Sequence, residues 1–479
     1  MFPYGVASGD VTHDSIVLWT KTTPGSTVTW WCETDGQGRL TGESLADPAT
    51  GSVHVGVTGL IAGVPYRYGF TAAEVPSEEG RFRTIPTDRA VKFAVVSCAK
   101  YNSGFFNAYR AIAKMDDIDF VLHLGDYIYE AAQVPTGKQT PGIDIGRPMD
   151  PLGDCLTRDD YDRRYALYRR DADLALLHRR HAMMATIDDH ELSDNAWAGG
   201  AQEHDEAKLG PWKTRSDAAM DVWSDWMPTL RRPTRGDAVW QEIDLGIAGR
   251  ILLCETRLAR TDPALPHTDA STAMGMPQRA WALDRLTTPH PGWTYLAVPS
   301  MLSDLDGALG DEDALFALRK LKMAEADELE SFHDLWDSFD FEQDSLMDAV
   351  GADPMAVALS GDVHFSAEHR HDLRRGEFVE WTVTSITSPN LDDKMGWPRG
   401  ADSRKYETAF LRNLPAMEWC DLDSHGFAII EANPQYTSCQ WWYTDTVAKL
   451  SDDVAMGHQV TLSARPDGTE APERAPRPA

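Results

Sequence analysis

The chain has 479 residues, of which 42% are hydrophobic and 9% aromatic, so it can fill a large core and is too long for one ordinary domain. Its 75 acidic residues outnumber 45 basic ones, and the resulting formal charge of −30 argues against nucleic acid as a stable partner, because a polyanion would be repelled. Six scattered cysteines without a CxxC pair exclude zinc-ribbon pairs and argue against a disulfide scaffold.

Membrane and targeting signals are also missing from the sequence. No run of residues approaches the roughly 20 apolar positions that a membrane span requires, so we expect a soluble protein without a transmembrane segment. A pattern typical of a folded domain begins at Phe2, with no secretory signal before it. Two alternatives for the compartment stay open: the protein is cytoplasmic, or a targeting segment has been removed from it. The sequence also leaves the oligomeric state open.

Residues 1–86 show short alternating runs of apolar and polar residues, separated by Gly, Pro and Asp turns. We predict strands at 15–20, 28–32, 54–59 and 66–70, which together would form a small β-sandwich. The segments 59–68 and 80–84 resemble the penultimate turn and last strand of fibronectin-like domains. Residues 85–88 are interpreted as the linker that follows this N-terminal domain.

From Val91 onward the pattern changes to short apolar runs, which are typical of buried strands. We predict such strands at 91–96, 120–124, 183–187, 251–253, 295–298 and 357–359, and later alternating strands at 378–386, 427–431 and 437–443. Helices are predicted at 105–115, 161–178, 280–286 and 315–331. This order predicts an α/β (α+β) catalytic domain over residues 87–464, with a β-sheet core and flanking helices. Residues 465–479 are Pro-rich and predicted to be disordered.

Residues able to carry chemistry stand at the carboxyl ends of four predicted strands. The strands at 91–96, 120–124, 183–187 and 357–359 are followed by the runs Ser97-Cys98, Gly125-Asp126-Tyr127-Ile128-Tyr129, Asp188-Asp189-His190-Glu191 and Gly361-Asp362-Val363-His364. Ligand sites of open α/β sheets lie at this edge. We therefore expect the four runs to converge on one pocket rich in oxygen, thiolate and imidazole donors.

A pocket of this composition requires cations. Several carboxylates close together repel each other, and without a compensating charge some would have to take up protons. A site that combines carboxylate, phenolate, thiolate and imidazole suits a ferric or redox-stable transition ion, whereas an all-oxygen neighbour suits calcium, magnesium or manganese. Enzymes that catalyse in-line attack on phosphorus commonly use a centre of two metals about 3.5–4 Å apart.

The order GDxxY, DDHE, GDxH resembles the pattern of calcineurin-like metallophosphoesterases, and more narrowly the PhoD-like alkaline phosphatase (alkaline phosphatase D) family. Further segments that match this family are Gly5 to Asp10, Val17 to Thr20, Asp160-Tyr161 and Arg164 to Tyr168. The resemblance implies a four-layered metallophosphoesterase core. It also implies metal-dependent hydrolysis of small phosphate mono- and diesters by a metal-activated hydroxide, including phospholipase D-type diesterase activity, and a typically secreted or periplasmic location.

The resemblance also implies the ligands. A ferric ion would be held by Cys98, Asp126, Tyr129 and His364. Asp126 would bridge to one or two calcium ions, with Asp362 and either Asp189 or Asn195 completing the calcium shell, and other divalent metals are compatible with these donors.

Two further residues match catalytic positions of such enzymes. His190 stands where a histidine stabilises developing charge or protonates the leaving group, and Arg257 stands where an arginine clamps a phosphoryl oxygen. The chain departs from the family at Glu255, where Asp is common, and at Ser193-Asp194-Asn195, where Asn-rich text is common.

Structural alternatives exist for several of these residues. Cys98 in isolation would be a small buried apolar residue, and Asp188 would be a helix N-cap. Arg257 would form an ion pair with Glu255, and the loop 133–154 either covers the site or is a plain surface insertion. The competing function is a non-catalytic surface interaction protein that metals stabilise.

Overall fold

The computed structural model describes residues 1–133, 145–265, 268–321, 323, 335–374 and 376–464. Three sequence-based predictions therefore fall partly or wholly outside the described residues. They are the disordered tail at 465–479, the central part of the loop 133–154, and the end of the helix predicted at 315–331.

Eight strands occupy the N-terminal segment, where alternating apolar residues face a common core. Their bounds are β1 Val6–Gly9, β2 Ser15–Lys21, β3 Thr27–Thr34, β4 Gln37–Leu45, β5 Ser52–Thr58, β6 Pro65–Ala72, β7 Val75–Pro76 and β8 Gly80–Arg83. The four strands predicted here are confirmed as β2, β3, β5 and β6, with ends shifted by one or two residues.

Thirteen further strands follow among the described residues. They are β9 Val91–Val96, β10 Phe120–His123, β11 Met183–Ala185, β12 Gln241–Asp244, β13 Gly249–Leu253, β14 Trp293–Ser300, β15 Ala356–Gly361, β16 Ser366–Leu373, β17 Gly376–Thr382, β18 Met417–Asp421, β19 Gly426–Ala432, β20 Tyr436–Thr444 and β21 Val454–Ser463. The strand predicted at 378–386 ends earlier, at Thr382, because the chain leaves the sheet there and Ile386 donates its N–H to the Ser97 carbonyl.

The strands form three sheets. The nine-stranded sheet has the order β21-β20-β19-β9-β10-β11-β1-β2-β5, the seven-stranded sheet has the order β12-β13-β14-β15-β17-β16-β18, and β4-β3-β6-β7 with β8 form the third. Strands from the N-terminal segment thus continue the sheet that contains β9, β10 and β11. The two segments share this sheet, and the domain boundary at residue 86 stays a prediction.

Ten α-helices are present among the described residues. They are α1 Asn107–Ala113, α2 Arg158–Arg169, α3 Ala172–Arg180, α4 Glu206–Leu209, α5 Trp212–Trp226, α6 Met276–Thr287, α7 Glu312–Leu321, α8 Asp340–Gly351, α9 Leu391–Met395 and α10 Ser403–Asn413. The single helix predicted at 161–178 is wrong. Asp171 interrupts it, because its side chain accepts hydrogen bonds from the N–H groups of Asp173 and Leu174 and so caps a second helix. Within these described stretches, each helix falls short of the length and apolarity needed to cross a bilayer.

The two large sheets pack face to face, with helices on their outer sides. Phe93 of β9 meets Tyr295 of β14 across the interface, with ring centroids 5.8 Å apart. Alternate residues of β9, such as Ala94 and Val96, face the opposite side and pack against α1. This produces a four-layered helix–sheet–sheet–helix arrangement, and it brings the carboxyl ends of the parallel strands β9, β10 and β11 to one edge.

Candidate metal centre

The predicted ligands share an unusual backbone conformation. Eight non-glycine residues of the described chain have positive φ, and five of them are predicted ligands: Cys98, Asp126, Asn195, Asp362 and His364, with φ between 53° and 69°. Such conformations cost about 1–3 kcal/mol each and persist only where the surrounding structure enforces them. At Cys98, Asp126 and Asp362 the chain turns in this way just after a strand, which fits a site that gathers side chains from several strand ends.

Two glycines allow the four segments to approach each other closely. A Cβ at Gly125 would lie 2.6 Å from the Asp188 Cβ, and one at Gly361 would lie 2.7 Å from the Ser97 Oγ. Neither gap accommodates a side chain. Steric exclusion therefore explains why glycine precedes Asp in both GDxxY and GDxH. Close contact between the loops is the physical basis for the convergence of their donors.

The first donor group joins three of the strand-end loops. Ligand atoms of Cys98, Asp126 and His364 all lie within 4.8 Å of one another. Tyr129 completes this group, because its hydroxyl donates to Asp126 Oδ2 at 2.7 Å and lies 3.2 Å from His364 Nε2. Asp362 is adjacent, since its carbonyl oxygen is 3.9 Å from the Cys98 Sγ.

The second donor group shares Asp126 with the first. Ligand atoms of Asp126, Asp189 and His190 also lie within 4.8 Å of one another. Asn195 holds Asp189 through its backbone N–H, which donates to Asp189 Oδ2 at 2.6 Å, while its side-chain amide donates to Gln202. Among the described residues, Asp126 is thus common to both donor groups, and Asn195 as a direct ligand stays a prediction.

The electrostatics of this pocket fit cations. Burial raises the pKa of the Asp126 carboxyl well above its usual range, and it does the same for the Cys98 thiol, whose pKa Asp126 and Asp362 raise further. Burial, then Asp126 and Cys98, raise the pKa of the Tyr129 phenol. These groups would hold protons among themselves, whereas a divalent or trivalent ion would favour their anionic forms. Oxygen, sulfur and nitrogen donors in one buried cluster thus match a metal centre.

His364 is oriented as a ligand by a backbone carbonyl. Its Nδ1 lies 3.3 Å from the Pro389 carbonyl oxygen, which accepts only, so Nδ1 carries the proton and the Nε2 lone pair faces the donor group. Burial lowers the pKa of His364 well below its usual value, and the Lys394 charge lowers it further. A neutral imidazole with a free Nε2 lone pair is the form that binds metals.

Glu130 and Glu191 contact residues of the candidate site, and the sequence analysis gave neither of them a role. Glu130 Oε2 is 2.7 Å from His190 Nδ1, and its Oε1 accepts the Asp194 N–H. Glu191 accepts the N–H groups of Asp126, Tyr127 and Asp188 and so ties two ligand loops together. Their positions carried a signal, because each directly follows a chemically important residue in a strand-end run.

Arg257 lies behind the site. Its side chain is fully buried, and Nε donates to Asp188 Oδ1 while Nη2 is 3.9 Å from Asp189 Oδ1. Asp188 precedes a short 3-10 helix over 189–191, as its N-cap interpretation predicts. Arg257 in this position supports the segment that presents Asp189, and its role as a phosphoryl clamp stays a prediction.

Comparisons with known proteins agree with this geometry. Residues 93–441 match the PhoD-like phosphatase family, and residues 1–86 match the N-terminal domain of PhoD-like phosphatases. The chain belongs to the PhoD-like phosphatase family. Alkaline phosphatase D of Bacillus subtilis (strain 168) is 28% identical to it, over 92% of this chain and 76% of that protein. The solved structure of PhoD has the same fold, with a TM-score of 0.82 at 23% identity, and the match covers 96% of this chain and 90% of that one.

This PhoD-like phosphatase is therefore an enzyme that hydrolyses phosphoesters, and it belongs to a metal-dependent family. Family membership favours the enzyme over the non-catalytic interaction protein. The α/β fold inferred from the sequence is confirmed by the sheets and by the PhoD match.

Proposed function

We propose that this phosphatase hydrolyses small phosphate mono- and diesters at a centre that holds one ferric ion and one or two calcium ions. The observation that carries the proposal is the shared carboxylate of Asp126, which lies within 4.8 Å of ligand atoms in both donor groups. Cys98, Tyr129 and His364 supply the sulfur, phenol and imidazole donors that suit iron. Asp189, Asp362 and Asn195 supply oxygens that suit calcium.

The bound cations would lower the pKa of water to form the nucleophile and would neutralise the phosphoryl oxygens. The chain's own residues then have separate tasks. His190, held at Nδ1 by Glu130 and with its Nε2 3.6 Å from Asp194 Oδ1, is the group that would protonate the leaving oxygen. Lys100, whose ammonium lies 5.4 Å from the centre of the Tyr129 ring, adds a positive charge beside the phosphoryl group.

Charge also limits the substrate. The formal charge of −30 disfavours long polyanions, so a small ester that reaches the cations directly is the preferred class. The name of the Bacillus subtilis relative, alkaline phosphatase D, supports a monoesterase at alkaline pH. A diesterase of the phospholipase D type would use the same centre on a substrate with a second esterified oxygen.

Metal removal tests this proposal. We expect the protein purified without chelator to hydrolyse p-nitrophenyl phosphate, its bis ester, or both, and to contain iron and calcium by elemental analysis. Chelation should lower the rate in proportion to the metal removed, because the proposed hydroxide nucleophile would form only on a bound cation. The relative rates on the two esters distinguish the monoesterase from the diesterase.

Two outcomes contradict the proposal. One is metal-replete protein that hydrolyses neither ester, and the other is activity that stays constant after elemental analysis shows the metals are gone. Zinc as the sole metal would contradict the thiolate and phenol assignment to iron.

A further inference from the structure

A buried serine, histidine and aspartate outside the metal centre form a continuous hydrogen-bonded chain. Ser385 Oγ lies 3.0 Å from His425 Nδ1, and His425 Nε2 lies 2.7 Å from Asp393 Oδ2. Ser385 is fully buried and His425 is 7% exposed. These residues come from three different parts of the fold: the segment after β17, the residue just before β19, and helix α9.

The proton positions follow from the partners. The Ser385 hydroxyl donates its only proton to the Ser388 carbonyl at 2.6 Å, so its oxygen can only accept from His425 Nδ1. Because Nε2 faces a carboxylate, it also donates, and His425 is therefore an imidazolium paired with Asp393. Burial lowers the pKa of His425, but Asp393, together with Asp392 and Ser385, raises it by more, so the pKa lies above its ordinary value.

This protonation excludes a nucleophilic triad. A catalytic serine needs an exposed hydroxyl and a neutral imidazole to accept its proton. Ser385 has neither, because it is buried, its proton is committed to Ser388, and both nitrogens of His425 already carry protons. The chain of hydrogen bonds must serve a structural or positioning task instead.

The segment held by His425 contacts two residues of the candidate metal centre. After Ser385, the N–H groups of Thr387 and Ser388 lie 3.3 and 3.2 Å from the Cys98 carbonyl. The next residue, Pro389, supplies the carbonyl that orients His364 Nδ1 at 3.3 Å. The segment 385–389 therefore touches a sulfur ligand's backbone and an imidazole ligand's ring, and His425 fixes it from behind.

We propose that His425, with Asp393 and Ser385, is a positioning residue that holds the segment 385–389 so that Pro389 aims the Nε2 of His364 at the metal. This inference rests on the proposed function, because it treats His364 and Cys98 as ligands. It assigns to His425 no contact with substrate. Outer partners of ligating histidines contribute about 10–100-fold in metal affinity or activity.

The test compares His425→Gln and Asp393→Asn with wild-type enzyme. We expect each variant to lose about 10–100-fold in kcat with little change in KM, and to hold its metal more weakly in a chelator competition. Thermal unfolding reports whether the fold is kept. His458→Gln is the matched control, because His458 also pairs with a carboxylate, Glu368 at 3.2 Å, but lies in the last strand of the sheet.

Unchanged kcat and metal affinity in the folded variants would overturn the inference, as would equal losses in His458→Gln. If His425→Gln does not fold, Asp393→Asn decides, since its half-buried carboxylate is replaced by an amide of the same shape. Wild-type protein that lacks metal and activity would contradict the proposed function instead, so the two failures are distinguishable.

Discussion

Asp126→Asn is expected to lower kcat about 10²–10³-fold and to reduce the content of both metals. The substitution removes one negative charge from the carboxylate that both donor groups share, so each cation loses part of its binding energy. Loss of several kcal/mol of charge stabilisation in the transition state corresponds to a factor of this size. Steady-state kinetics and elemental analysis of the same preparation measure the two effects together.

The backbone conformation at position 126 is compatible with this substitution. Asp126 has φ 56°, a conformation that asparagine tolerates well, so the variant is expected to fold. Asp10→Asn is the matched control, because Asp10 also has positive φ but binds Thr229 and Arg231 away from the site. Normal metal content and kcat in Asp126→Asn would contradict the proposal that both cations share the Asp126 carboxylate.

His190→Asn is expected to lower kcat about 10²–10⁴-fold while the metal content is kept, as for loss of a general acid. The loss should be larger for an alkyl phosphate than for p-nitrophenyl phosphate. An alkoxide is a poorer leaving group than p-nitrophenolate and depends more on protonation. Glu130→Gln should have a weaker effect in the same direction, because Glu130 orients His190 through Nδ1. The two substrates are compared under saturating conditions.

The control for this series is His13→Asn. His13 pairs with Asp244 at 3.2 Å, and its side chain is 21% exposed, compared with 14% for His190, so both are largely buried histidines paired with a carboxylate. A fall in metal content in His190→Asn would instead make His190 a ligand of the second donor group. An equal loss on both substrates would contradict the general-acid role.

Strand identity and the location of the site could be predicted from the sequence because both follow local rules. Buried apolar runs identified β9, β10 and β15, and the polar residues after each run then had to lie at the same edge of the sheets. The close packing of loops at Gly125 and Gly361 explains the glycines of GDxxY and GDxH, and only the structure shows it.

Features that depend on distant contacts could not be predicted in this way. The helix breaks at Asp171 because its side chain caps the following helix. The spacing of apolar residues does not reveal such a cap. The chain from Ser385 through His425 to Asp393 joins three elements with no fixed spacing. The sharing of one sheet by the N-terminal strands and β11 is likewise a property of tertiary pairing.

Anomalous diffraction from crystals of the enzyme purified without chelator tests the central claim most directly. The account predicts one strong peak within about 2.0–2.5 Å of both Cys98 Sγ and His364 Nε2, and a second about 3.5–4 Å from it, with Asp126 between them. Active enzyme whose metal peak lies away from Cys98, or whose Cys98 and His364 face different parts of the molecule, would contradict it.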